Sequence, residues 1–267
     1  MQSQTGRPER TRVPFEACPL CAGSNWRELR IADCTKHPLY KPVVPKKMRW
    51  LECTACKHVY TDGYFSPEVL SIIFAKAHEN QTPGYKIDEQ RLLAARIVAR
   101  VKQHAPIGKW IDVGFGNGAL LLTAEEWGFE PIGLDLRKSS VDGMKKLGIE
   151  AHCHDIADMS QIEGVTVVSM ADVLEHMPYP AKGLEAARRL LMPDGVLFVS
   201  MPHYNCATWR VLDAANDMPY WMELEHYHNF SRDRLYALLR DSGFEPVSYD
   251  ISERYRVCME VIARRRS

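Results

Sequence analysis

The sequence predicts a doubly wound α/β domain with a mostly parallel sheet, preceded by a small cysteine-bearing domain. Three observations carry that expectation. From Lys109 onward, apolar runs of strand length alternate with helical patterns. The first of those strands enters its helix through "IDVGFGNG", residues 111–118, a tight glycine turn. Five of the eight cysteines fall within residues 15–62, ahead of the alternation.

Residues 1–14, "MQSQTGRPERTRVP", are polar and are expected to form a disordered tail; they lack the apolar core of a signal peptide. Residues 15–62 carry several prolines and no long helical pattern, and read as a small separate domain. Residues 63–108 read as a helical linker or lid. Leu70, Ile72, Ile73 and Phe74 open it, and Leu92, Leu93, Ala95, Ile97, Val98 and Val101 recur at helical spacing until Pro106 and Gly108 stop the pattern. Residues 109–267 form the main domain. Strands are expected at 109–114, 130–135, 149–153, 165–170 and 196–201, and helices at 118–128, 137–147, 181–191 and 231–242. "GFEPVSYDI" and "RVCMEVIAR" complete it as a final strand pair.

Composition narrows the function classes. Lys and Arg number 34 and Asp and Glu 34, so the 267-residue chain has no basic excess to hold a broad nucleic-acid surface. The arginines at 7, 10 and 12 and at 264–266 read as solvated tails. No run approaches 18 apolar residues, so no membrane span is expected. The cytoplasm is the expected compartment, with the cysteines reduced rather than paired in disulfides.

The glycine turn fits two patterns. Gly114, Gly116 and Ala119 satisfy G-x-G-x-x-G/A, and Gly114, Gly116 and Gly118 satisfy G-x-G-x-G. Both place a ligand beyond the carboxyl ends of the strands. Asp135 ends the next strand and can accept both hydroxyls of a ribose, which points to a nucleoside cofactor. Asp112, two residues before Gly114, suits a cationic ligand better than a pyrophosphate. Asp155, in "HCHDIAD", can accept from an adenine amino group, and "MADVLEHMPYP" follows the fourth strand. Asp112 also fits a turn cap, and Asp155 a helix N-cap.

Across residues 85–267 this order of motifs resembles the class I S-adenosylmethionine (SAM) methyltransferases, a Rossmann-like fold, and "VLEHMPYP" is similar to their small-molecule branch. The resemblance implies roles. Gly114, Phe115 and Gly116 line the methionine part of SAM, and Asp112 orders the turn on its ammonium side. Asp135 holds the ribose with Leu136 against the adenine, and Asp155 and Ile156 frame that base. Met170 and Ala171 lie behind the cofactor, and Tyr85 closes over the methionine end. Phe115 departs from the family, which often has a small residue or cysteine there.

"CPLC" (18–21) and "CTAC" (53–56) are two C-x-x-C knuckles, and Cys18, Cys21, Cys53 and Cys56 supply the four sulfurs of a tetrahedral zinc site. The spacer exceeds the commonest pattern, and Pro38, Pro42 and Pro45 fit an inserted loop. The segment resembles the zinc-ribbon leader of some methyltransferases of this branch. Four thiolates saturate zinc, so the metal is expected to be structural. Cys34 and His58 are alternative ligands, and a metal-free thiol cluster is the competing reading. Cys153, Cys206 and Cys258 are expected in the core.

Methyl transfer to oxygen or nitrogen needs an aligned acceptor and a proton acceptor. His203 and His228 lead the candidates, with His226 beside them; the resemblance gives His176, in "LEHMP", a structural role. The segment 202–230 is rich in aromatics (Tyr204, Trp209, Tyr220, Trp221, Tyr227, Phe230) and suits an acceptor pocket or a packed lid. The leading function is SAM-dependent methylation of a small molecule. The alternative is an RNA methyltransferase whose zinc domain grips RNA, against which stand the neutral charge and the lack of an N-P-P-[YF] motif. A nicotinamide-cofactor oxidoreductase and a non-catalytic binding domain are the remaining readings.

Overall fold

The computed structural model describes residues 11–74 and 81–267. Arg7 and Arg10 lie outside them. The expected disorder of residues 1–14 does not hold at Arg12–Pro14, which form strand β1, and residues 1–10 lie outside the described residues.

The first half of the chain builds β2 (Trp26–Asp33), β3 (Lys47–Cys53), β4 (Val59–Thr61) and β5 (Gly63–Phe65), then α1 (Pro67–Phe74). β1 pairs with β5, and β2, β3 and β4 form an antiparallel meander. Helix α2 (Ile87–Lys102) follows. The main domain then runs β6 (Lys109–Val113), α3 (Ala119–Glu126), β7 (Glu130–Leu134), α4 (Lys138–Lys146), β8 (Glu150–His152), β9 (Val165–Ala171), α5 (Pro180–Leu190), β10 (Val196–Pro202), α6 (Ala207–Ala214), β11 (His228–Asn229), α7 (Arg232–Asp241), β12 (Phe244–Ile251) and β13 (Cys258–Arg265).

The central sheet has the order β12-β13-β10-β9-β6-β7-β8. β8, β7, β6, β9 and β10 are mutually parallel, and β13 is antiparallel to β10 and to β12. Its inner strands are buried on both faces, as a helix-covered parallel sheet requires. Alternate residues go to opposite cores. Val168 and Val199 pack with Leu184, Leu190 and Leu239 of α5 and α7, while Val167 and Phe198 pack with Ile97, Val98, Leu121 and Met144 of α2, α3 and α4. The chain leaves β6 toward β7 and returns on its other side at β9, so the switch of direction, where such sheets bind ligands, lies at the carboxyl ends of β6 and β9.

Three expectations change. Helix α2 is not a linker: Ala94, Ile97, Val98 and Val101 cover the sheet. Leu92, off that stripe, is 65% exposed. Arg264 and Arg265 are not a solvated tail, because they pair with β10 and β12 within β13. And the cysteine domain is not separate. β11, from the segment after β10, adds to β4 as the fourth strand of its sheet. Trp50, Phe65, Val69 and Ile73 share one core with Trp209, Trp221, Leu224 and Tyr227, and Trp50 Nε1 donates to Trp221 O at 2.8 Å. Two apolar surfaces too small to stand alone are buried against each other.

Candidate functional site

The turn after β6 adopts left-handed backbone at Gly114, Gly116 and Gly118, with φ of 66°, 55° and 76°. Side chains rarely tolerate that conformation, and its result is a backbone loop open to a ligand. The Phe115 side chain turns inward instead: it is 5% exposed and packs on Gly133, where an added Cβ would lie 2.7 Å from Phe115 Cδ1. Only the Phe115 backbone remains available to a cofactor. Asn117 ties the turn to Tyr85: its Nδ2 donates to Tyr85 O at 3.1 Å, and Gly84 N donates to Asn117 O at 2.9 Å.

Asp112 lies beneath this turn and is 3% exposed. Ser169 Oγ donates to it at 2.5 Å and itself accepts from Trp110 Nε1 at 2.8 Å. Burial pushes the Asp112 carboxyl up to about 7; Ser169 and the charge of Arg254 oppose that shift, and Asp135 and Asp172 add to it.

Asp135, at the end of β7, is buried and is gripped by Arg137. Arg137 donates from its backbone N and from Nε to Oδ1 at 2.8 and 2.9 Å, and from Nη2 to Oδ2 at 2.7 Å. Gln81 accepts from the far side of the same guanidinium. Both oxygens expected to receive ribose hydroxyls are therefore shared with Arg137, a contact that the one-dimensional pattern did not disclose. Leu136 is 72% exposed, an apolar side chain with a free face beside Asp135. Asp155 caps the 3₁₀ turn Ile156–Asp158, its Oδ1 accepting from Ala157 N at 2.8 Å. The Ile156 side chain is in the core, as is that of Met170, and Ala171 ends β9 half-buried.

The histidines separate. His203 Nδ1 and Tyr249 OH share a hydrogen bond of 3.2 Å, on the side of β12 and Arg232. His228 Nε2 donates to Met177 O at 2.8 Å, so its Nδ1 must accept from His58 Nε2 at 2.9 Å. Burial pushes His228 down to about 4, and with both nitrogens engaged it has no lone pair for a proton. Its place is structural: it joins the cysteine domain to the segment after β9. His226, pushed down to about 3 by burial, keeps Nδ1 without a partner among the described residues.

Sequence reasoning passed over two residues here. Asp172, just past β9, has φ 58° and is held by Ser200 Oγ and by Arg254 Nη2, each at 2.8 Å. Arg254 is 82 residues away in the chain, so no local pattern pairs them.

The cysteine knuckles have matching geometry. In each, the fifth residue is left-handed (Ala22 φ 56°, Lys57 φ 62°) and its N–H returns to the carbonyl of the first cysteine, at 2.9 and 3.0 Å. All four sulfurs lie within 4.8 Å of one another, with Cys18–Cys56 at 3.7 Å and Cys21–Cys53 at 3.6 Å. Sulfurs bound tetrahedrally to zinc at about 2.3 Å are about 3.8 Å apart, so this set fits the metal. Cys34 and His58 are not in the cluster. Of the cysteines expected in the core, Cys258 is buried, Cys153 is exposed and Cys206 caps α6.

The aromatic segment packs on the cysteine domain; Trp209, Trp221, Tyr227 and Phe230 are buried. A cleft of about 650 Å³ opens elsewhere, between Cys18–Ala22, Glu16, Tyr64 and Tyr179.

Fold and site together define a doubly wound enzyme domain whose glycine turn is backed by carboxylates rather than by a phosphate-binding set. The family model described as a methyltransferase domain matches residues 85–249, more than half of the chain. The chain belongs to this methyltransferase family. It is 28% identical over 149 residues to the ubiquinone biosynthesis O-methyltransferase of Roseobacter denitrificans, covering 51% of this chain and 60% of that one. To the enzyme of the same name from Actinobacillus pleuropneumoniae it is 32% identical over 104 residues, 34% and 44% of the two chains. The chain spans about half the length of the curated relatives it matches. Among solved structures it is similar to the Burkholderia thailandensis 1,6-didemethyltoxoflavin-N1-methyltransferase with bound 1,6-didemethyltoxoflavin and S-adenosylhomocysteine (TM-score 0.57, 16% identity, 80% of this chain and 98% of that one). It is likewise similar to the magnesium protoporphyrin IX methyltransferase of Synechocystis with bound S-adenosylhomocysteine (TM-score 0.52, 17% identity, 67% and 83%). Those two likenesses establish the fold. No helix among the described residues is long and apolar enough to cross a membrane.

Proposed function

We propose that the chain methylates a small-molecule acceptor, and that its four clustered cysteines hold a structural zinc. The observation that carries the first part is the convergence of three left-handed glycines, buried Asp112 and buried Asp135 at the carboxyl ends of β6 and β7. When bound there, SAM supplies a methyl group on a positively charged sulfur.

The chain's own residues do the rest. The backbone of Gly114, Phe115 and Gly116 approaches the methionine part, and Tyr85, held by Asn117, borders it. Asp112 is a buried carboxyl whose ionised form a neighbouring cation would favour. Asp135 accepts the ribose hydroxyls once Arg137 swings off its carboxylate, and Leu136 offers its free face to the adenine. Asp155 spends one oxygen on Ala157 and keeps the other for the base. Of the three histidines considered for catalysis, His228 has both ring nitrogens engaged, while His203 engages only Nδ1 and His226 Nδ1 has no partner among the described residues.

Support for a small acceptor comes from the cleft beside Tyr64 and Tyr179. Its volume of about 650 Å³ falls in the range of roughly 300–1,000 Å³ common for ligand pockets, and Tyr64 and Tyr179, packed edge to face at 6.0 Å, line it. The two relatives' names and the toxoflavin enzyme also concern small molecules. The RNA reading gains nothing from the neutral charge of the chain.

The zinc reading rests on the paired knuckles, and four thiolates leave no coordination position for chemistry. Calorimetry of the purified chain with SAM and with S-adenosylhomocysteine tests the cofactor assignment: one site is expected for each, and no heat from either overturns it.

A further inference from the structure

We infer that Glu175, His176 and His226 form a divalent-cation site on the acceptor side of the sheet, separate from the four cysteines. Their ligand atoms all lie within 4.8 Å of one another. The three come from two segments locked together by Tyr227 N donating to Glu175 O at 2.8 Å. Glu175 and His176 sit in the 3₁₀ turn after β9, and His226 lies two residues before β11.

The polar atoms there are poised for a ligand. Glu175 is 0% exposed, and neither carboxylate oxygen has a hydrogen-bond partner in another residue among those described. A buried carboxylate is ordinarily paired or bound to a metal. The nearest fixed charges are otherwise committed: Asp172 to Arg254 at 2.8 Å, and Glu223 to His37 at 2.7 Å. His176 Nδ1 donates to Glu225 O at 2.9 Å, which leaves the lone pair on Nε2. A backbone carbonyl on the second nitrogen is the usual orienting partner of a metal-bound imidazole. His226 Nδ1 is buried without a partner among the described residues, and its ring is fixed edge-on to His176 (4.7 Å, 83°) and stacked on Tyr220 (5.7 Å, 13°).

Two imidazoles and one carboxylate suit Zn²⁺, Fe²⁺, Co²⁺ or Mn²⁺. Ligands bound at about 2.1 Å cannot be more than about 4.2 Å apart, a separation close to the bound within which these atoms already lie. Three protein ligands leave positions for water or an acceptor oxygen. With its lone pair on the cation, His226 is not the proton acceptor.

Metal binding here does not depend on the methyltransferase reading, and its test needs no turnover. Mn²⁺ is a poor partner for thiolates, so it probes this site rather than the knuckles. The purified full chain is titrated with Mn²⁺, followed by the loss of the free-ion electron paramagnetic resonance signal. One equivalent is expected to bind in the absence of SAM. Removing a ligand exceeds the effect of removing an orienting partner, so Glu175→Gln and His226→Gln should each weaken binding by about a hundredfold. Should Glu175→Gln lose its native circular dichroism, His176→Gln, at the half-buried rim, makes the same measurement. No Mn²⁺ uptake by the unaltered chain, or uptake unchanged in the folded variants, overturns the site. Mn²⁺ uptake by a chain that fails to bind SAM would support it while removing the cofactor assignment.

Discussion

The two ends of the ligand-binding edge are built in opposite ways. On the β6–β7 side, the glycine turn, Asp112, Asp135 and Leu136 all come from one run of 25 residues, 112–136. On the β9–β10 side, the surroundings of Glu175 draw on β4, the segment after β9, and the residues around β11. The first side is a local strand–turn–helix–strand unit. The second exists only because the cysteine domain and the 203–230 segment bury each other. A ligand-binding edge can thus combine a self-contained half with one that depends on long-range docking, and damage to each should stay on its own side.

The largest effect should come from the cysteine domain. Cys53→Ser is expected to remove the zinc equivalent, measured by mass spectrometry, and to loosen residues 15–62, read by hydrogen exchange. Zinc-finger peptides gain about 10–16 kcal/mol from their metal, which sets the ceiling for the loss. SAM affinity should change little. A full zinc equivalent retained would remove the four-cysteine assignment, and SAM binding lost along with it would break the division into two halves.

On the other side, Asp135→Ala should weaken SAM binding by about a hundredfold without altering zinc content. Two charge-assisted hydrogen bonds contribute about 1.5–3 kcal/mol each, and the cost of separating Asp135 from Arg137 lowers the net loss toward the small end. Arg137→Ala should act in the opposite direction and tighten binding by about fivefold, since a partly exposed ion pair contributes about 1 kcal/mol. Equal weakening by both substitutions would show that Arg137 holds the cofactor rather than competing with it.

The smallest effect is a proton. Burial raises Asp112 to about 7, so near pH 6 the ligand-free carboxyl is largely protonated. A bound cation favours the ionised form, so SAM binding at pH 6 should release up to one proton, and at pH 8.5 almost none. Calorimetry in buffers of different ionisation enthalpy measures this. The same shift bears on stability. The unfolded carboxyl loses its proton near 3.8 and the folded one near 7, so this group favours the folded state below about pH 4, and that contribution is lost as pH rises to 7. Release that does not vary with pH would place the cation elsewhere.

The readable parts share one property: the residues that decide them are neighbours in the chain. The alternation after Lys109 follows from periods of 2 and 3.6, and every expected strand and helix of the main sheet forms within a residue or two of its expected ends. The knuckle at Cys18–Cys21 and its twin at Cys53–Cys56 are each one turn long. Phe115 was legible as a turn residue but not as a core residue, because Gly133, which receives its ring, belongs to the next strand. His228 looked like a base because nothing nearby in sequence shows His58 beneath it, 170 residues away.

Sequence by itself determined the doubly wound sheet, the backbone turn, the carboxylates behind it and the four sulfurs, since local periodicity and spacing suffice for each. Tertiary structure alone decided that the cysteine domain takes a strand from the far half of the chain, that His58 lies against His228, and that Glu175 meets His226. Those contacts depend on which surfaces bury each other, and burial is a property of the packed chain rather than of any segment of it.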